Sequence, residues 1–140
     1  MNPEIFSRRS AQIIKFVDRL WNQPPIYFSN LTPSMLRRIG SVYLIAHRGT
    51  DEVLYIGRTV NLQRRLYTNH LMGNKSTARL KKYLIEDPDL PIVQTYEDAK
   101  RYLQDNCYFK YIKVTNWKLR GYIEGMLAYP LKVRYIEKEH

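Results

Sequence analysis

The sequence predicts an α+β fold in which three short strands, two of them a hairpin, are flanked by helices and preceded by an N-terminal helical extension. Three observations carry this. Residues 4–21 repeat Ile13, Phe16, Val17, Leu20 and Trp21 at helical spacing. The period then changes to compact β-branched and aromatic runs at 41–46 and 53–57, with a third at 108–114. Between and after these runs, amphipathic segments return at 62–71, 76–86, 95–103 and from 116 to a stop before Pro130.

Each element has its own local cause. Asn22-Gln23-Pro24-Pro25 ends the first helix, because proline lacks an amide proton and restricts its predecessor. Thr32-Pro33 offers an N-cap and a first-turn proline for a second short helix through Arg38. Arg48-Gly49-Thr50-Asp51 is a polar turn between two strands, hence the hairpin. Asn61 caps the helix that follows, Gly73-Asn74 breaks it, and Asp87-Pro88 stops the next. In the run at 108–114, Tyr108, Ile112 and Val114 share one face. The last helix has Leu119, Ile123, Met126 and Leu127 as its expected core stripe.

Charge narrows the partner. The 140 residues contain 23 Lys and Arg against 13 Asp and Glu, a formal charge of +10 that makes a polyanion the expected partner. Nucleic acid fits better than a membrane, since no basic amphipathic helix stands apart and no apolar run is long enough to span a bilayer. From Gly57 to Ile85 the cations Arg58, Arg64, Arg65, Lys75, Arg79, Lys81 and Lys82 occur with no acidic residue, a pattern suited to tracking phosphates. A single cysteine, Cys107, excludes an intrachain disulfide and a cysteine-built zinc site. That, and an N-terminus without the apolar core of a secretory signal, predicts a cytoplasmic protein.

Chemistry concentrates around the hairpin. Tyr43 lies on its first strand and Tyr55 on its second, and a short hairpin can bring them together. Gly57 would let a backbone or a phosphate come close to the strand end. Arg65 follows on the next helix, and Glu124 lies on the last. Taken singly these residues have plainer readings: sheet tyrosines with wet hydroxyls, Arg64 and Arg65 on a solvated helix face, Glu124 paired with Arg120 one turn away.

Together the residues resemble a family. Val42-Tyr43, Tyr55-Ile56-Gly57, the continuation Thr59-x-Asn61-Leu62-x-x-Arg65-Leu66 and the segment Leu119-Arg120-x-x-Ile123-Glu124-x-x-Leu127 before Pro130 are similar to the signature of GIY-YIG nucleases over about residues 40–132. The resemblance implies a three-stranded antiparallel sheet flanked by helices, a nuclease domain over residues 40–140 and a helical extension over 1–39 packed on it. It implies an endonuclease hydrolysing phosphodiester bonds with one divalent cation, Mg²⁺ or Mn²⁺. By position, Tyr43, Tyr55, Arg65 and Glu124 would be catalytic, with Glu124 also the metal ligand. Gly57, Arg58, Thr59, Asn61 and Lys75 would contact substrate, DNA before RNA. Arg58 and Lys75 would supply the positive charge that lets Tyr43 act as a base.

Three departures stand out. Ser41 replaces the first signature glycine, and an asparagine often found after the last helix is missing. Where many members have a histidine four residues after the arginine, this chain has Asn69, with His70 one position later. On a regular helix His70 would leave the Arg65 face unless the helix ended or tightened; its catalytic role is conditional on that. With no separate specificity domain, selectivity would come from a homodimer, a partner protein or the extension. An inert nucleic-acid-binding module of the same fold is the alternative to an enzyme, and a partner-recruiting role for the first helix could coexist with either.

Overall fold

The computed structural model describes residues 1–74 and 78–137. Helix α1 spans Pro3–Trp21; the Asn2 side chain accepts from the Glu4 amide, and a proline opens the first turn. Strand β1 is Ile26–Tyr27, β2 is Ser41–His47, β3 is Val53–Thr59 and β4 is Cys107–Lys113. Helices α2 (Arg79–Glu86), α3 (Tyr96–Asn106) and α4 (Trp117–Leu127) complete the frame, with a π-helix at Arg64–Leu71 between β3 and α2.

The sheet is antiparallel throughout, in the order β1-β4-β2-β3. It has four strands where the sequence predicts three. The addition is β1, two residues pairing Ile26 with Phe109 and Tyr27 with Tyr108, too short to show a period in sequence. In the hairpin turn the residue with positive φ is Asp51, at 60°, and not Gly49; a short polar side chain tolerates that region. The predicted helix after Thr32 is only a 3₁₀ turn, Pro33–Met35. The segment predicted from Ser76 becomes regular helix at Arg79; Ser76 itself lies outside the described residues.

Two cores sandwich the sheet. Val42, Leu44 and Ala46 of β2 face one side with Ile112 of β4, Val114, Leu20 of α1, and Ile123 and Leu127 of α4. Tyr43 and Ile45 face the other, with Phe109, Leu62, Leu66, Leu71, Leu80, Leu84 and Leu103. Of the stripe predicted on α4, Ile123 and Leu127 are buried, whereas Leu119 and Met126 are exposed on the flank toward α1. Beyond α4 the chain returns to the free edge of β3, where the Arg134 and Tyr135 amides donate to the carbonyls of Val53 and Leu54, covering part of an edge that would otherwise offer unpaired groups. Among the described residues no helix is long and apolar enough to cross a membrane.

Candidate active site

Hairpin register builds the floor of the site. Tyr43 pairs with Gly57 and Ile45 with Tyr55, so both tyrosines lie on one face as diagonal neighbours. Their rings are stacked at 26° with centroids 6.4 Å apart. A register shift between Ile45 and Ala46 marks a bulge just beyond them, a device that re-aims side chains near functional ends of sheets. Gly57 lines the cleft and also makes room within the sheet: a Cβ there would overlap the Tyr43 phenol of the neighbouring strand.

The π-helix supplies the second wall. Asn61 Oδ1 accepts from the Arg64 amide and so caps the helix start, while Thr59 Oγ1 accepts from the Asn61 amide and donates to its carbonyl. Both residues were expected to touch substrate. Asn61 is the helix cap that was also predicted for it, and Thr59 combines this local turn with a place in the groove beside Arg58. From Arg64 onward the helix widens, and the Met72 amide reaches the Tyr67 carbonyl five residues back. Residues five apart then come to one side. The helix neither ends nor tightens before His70, as the sequence reading required for it to face Arg65; it loosens, and the result is the same. His70 enters the site, and Asn69 lies farther toward the rim, lining both cleft and groove.

His70 is buried, and its Nε2 is 2.7 Å from the Tyr43 hydroxyl. Its ring also meets those of Tyr43 and Tyr55 edge to face, at 5.5 and 5.1 Å between centroids. Burial, with help from Arg65 and Lys81, lowers the His70 pKa from 6.5 to about 3, so the imidazole is neutral at physiological pH. Its Nδ1 has no hydrogen-bond partner among the described residues. Burial pushes the Tyr43 phenol well up, Tyr55 pushes the same way, and Arg65 pulls it down without prevailing. Tyr55 is raised as well, again through burial against the pull of Arg65 and Arg79. The expectation that nearby cations make Tyr43 a phenolate is therefore corrected: desolvation wins, and the principal cation is Arg65 and not Arg58. Lys75, the other expected source, lies outside the described residues.

Above this floor opens a cleft of about 360 Å³ bounded by Tyr43, Tyr55, Arg65, His70, Arg79 and Glu124. Arg79 is a wall the sequence reading left in the general basic run; only the fold brings the start of α2 here. Arg64 is absent from this cleft and lines the adjoining groove, whereas Arg65 lines both. Lys81 is no phosphate-tracking residue: it is buried, its Nζ donates to the carbonyls of Leu71 and Gly73 at 2.6 and 2.8 Å, and burial lowers its pKa to about 8. It ties α2 to the end of the π-helix.

Glu124 stands at the rim on α4, 3.9 Å from the Arg58 Nε. The plainer reading of a Glu124 pair with Arg120 fails, because Arg120 is buried and its Nη1 donates to the carbonyls of Val114 and Thr115. Those bonds anchor α4 to the end of the β4 strand, support for the Glu124 helix that comes from within it. Gly121 leaves room for the Arg58 guanidinium, and Gly40 for that of Arg120.

Residues 39–126 of this chain match the model of the GIY-YIG catalytic domain. The chain belongs to the GIY-YIG family. It thus carries a nuclease-family domain, and the span takes in the hairpin, the π-helix and all of α4 but its last residue, while α1 and β1 lie before it. No curated protein and no solved structure matches the chain. Among the described residues no three His, Cys, Asp or Glu side chains gather into a metal-binding cluster. The carboxylate that the described cleft lining offers is Glu124. That suffices for Mg²⁺ or Mn²⁺, which keep several waters and use one or two carboxylates together with substrate phosphate. Glu124 fits: its side chain is 34% exposed, it lines the cleft, and its ion pair with Arg58 is long and solvated.

Proposed function

We propose that this chain is an endonuclease that hydrolyses phosphodiester bonds in nucleic acid, with DNA the first substrate to test. One observation carries the reading: a buried tyrosine–histidine hydrogen bond at the floor of a cleft whose walls bring Arg65 and Glu124 to the same space. Arg65 offers two donors in one plane to the phosphate and stabilises charge as it builds on the phosphoryl oxygens. Tyr43 is a neutral phenol bonded to a neutral imidazole. With the imidazole proton on Nδ1, Nε2 accepts the phenol hydrogen bond and so turns the phenol oxygen toward the attacking water, which gives up its proton to solvent as it attacks. An O–P bond then forms, the bond to the leaving oxygen breaks, and that oxygen recovers a proton from solvent. Tyr55 packs against both partners and fixes their orientation. Glu124 would hold Mg²⁺ or Mn²⁺, which supplies Lewis-acid stabilisation of the leaving oxygen.

Arg58 faces the phosphate from the rim once it leaves Glu124, and selectivity would come from a second copy, a partner protein or the N-terminal extension. Cytoplasmic residence is consistent with the lone Cys107, buried and with its thiol pushed up to about 12, which gives it no redox reactivity. The test is incubation of the purified chain with supercoiled plasmid, branched DNA and RNA, with and without Mg²⁺ or Mn²⁺, beside Glu124→Gln. Metal-dependent cutting by the parent and binding without cutting by the variant support the reading. Tight binding by a parent that never cuts would establish the inert module instead, and cutting by Glu124→Gln would remove the metal assignment.

A further inference from the structure

Next to the cleft, α4 opens a hollow of about 350 Å³ lined by Arg58, Trp117, Lys118, Gly121 and Tyr122. Trp117 and Tyr122 are 69% and 66% exposed, although α4 buries Ile123 and Leu127 on its other side. Gly121 lies between them and brings no side chain into the space. The hollow is joined to the cleft by a groove of about 420 Å³ lined by Arg58, Arg64, Arg65 and Trp117. Arg58 borders all three spaces. Lys118 Nζ stands 5.6 Å from the Trp117 ring centroid, adding a cation at the aromatic surface.

Exposed aromatics interleaved with arginines on a +10 chain select an occupant with both a π-face and negative charge. A nucleotide has both. A base inside a regular duplex is stacked on its neighbours and offers no free face, so the occupant must be unpaired or displaced. We infer that Trp117, flanked by Tyr122, is a stacking platform for an unpaired nucleobase beside the phosphate held in the cleft. The strand backbone would run along Arg58 and Arg64. The substrate class is then nucleic acid with at least one unpaired nucleotide at the cut, such as a single strand, flap or branch. This rests on the nuclease reading above.

The test follows the intrinsic fluorescence of the parent without divalent metal, titrated with a thymine single strand, an abasic strand of equal length and a blunt duplex. The chain has two tryptophans, Trp21 and Trp117, so the signal missing from Trp117→Phe identifies the reporter. The base-bearing strand should quench Trp117 and the abasic strand should not. Trp117→Ala should weaken single-strand binding roughly tenfold while Trp117→Phe retains it, since loss of one base–aromatic stack is worth that much, and duplex binding should change little. Equal quenching by both strands, or equal loss on duplex and single strand, would overturn the platform. If the parent still nicks plasmid in that case, the nuclease reading stands alone; if the parent binds no nucleic acid at all, both fall.

Discussion

The floor and the rim of the cleft are held in opposite ways. At the floor, Tyr43 and His70 are buried, joined at 2.7 Å and locked by ring contacts with Tyr55. At the rim, Arg58 and Glu124 face solvent across 3.9 Å. A buried polar pair is expensive to disturb because each partner left alone keeps its desolvation cost, whereas an exposed ion pair contributes little and rearranges freely. The floor should therefore couple stability to activity, and the rim should govern activity alone.

The largest expected effect breaks the floor from beneath. Gly57→Ala places a methyl group where the Tyr43 phenol lies, and Tyr43 cannot retreat without losing His70. Overpacking of this kind costs about 1–3 kcal/mol, and displacement of Tyr43 should lower cleavage more than ~100-fold. Gly125→Ala is the control: its Cβ meets nothing within 4 Å on the same helix as Glu124, so it should be neutral or stabilise by up to ~1 kcal/mol. Melting curves and plasmid nicking on both variants decide this, and two equally damaged proteins would mean that the Tyr43 contact is not the cause.

Arg65→Ala tests the wall between floor and rim. Arg65 lines the cleft and is only part-buried, so its removal should leave the melting temperature almost unchanged while lowering cleavage about 100-fold through lost charge stabilisation. Arg64→Ala touches only the groove and should do much less. If Arg64→Ala were the more damaging change, the roles given to the two arginines would be reversed.

What the sequence made legible follows the same division. The tyrosine pair, Gly57 and Arg65 are fixed by strand period and helix onset, which local patterns carry, and all four meet in the structure as expected. Widening of the helix after Gln63 was not legible, because a π-helix of 8 residues is too short for its wider period to show in the sequence; its only trace is His70 standing one place later than a regular helix allows. Burial of Lys81 was equally hidden, since a lysine among arginines reads as surface until a facing helix end offers carbonyls. Arg79 and Trp117 line the site through tertiary packing that brings α2 and α4 alongside it. β1 owes its existence to β4.

His70 sharpens the comparison through pH. Its folded pKa of about 3 lies below the ordinary 6.5, so the unfolded chain takes up this proton first as pH falls. The stabilisation is complete above pH 6.5 and is lost on the way down toward pH 3, at up to ~1.4 kcal/mol per pH unit. Between pH 7 and 5 the loss should be about 2 kcal/mol. Asp87 and Asp98, held below the usual carboxylate range by hydrogen bonds, titrate under that window. Urea unfolding of His70→Gln should give a protein weaker at pH 7 but less acid-sensitive over this interval. An identical pH slope in the variant would mean that His70 is not the group that titrates.

The smallest effect belongs to the rim. Arg58→Gln removes the partner of Glu124 but leaves the Gly121 side of α4 unfilled only at an exposed edge, so stability should change by no more than ~1 kcal/mol. Two opposing consequences reach the chemistry. Glu124 loses a competing cation and should take up Mn²⁺ at lower concentration, while the strand loses a phosphate contact shared by cleft, groove and hollow. The variant should then cut less at low metal-saturated substrate concentration, through KM more than kcat, and its binding should fall less steeply with salt than the parent's. If kcat collapsed instead with KM unchanged, Arg58 would act on the transition state as Arg65 does. The rim would then be part of the catalytic wall and not a solvated border to it.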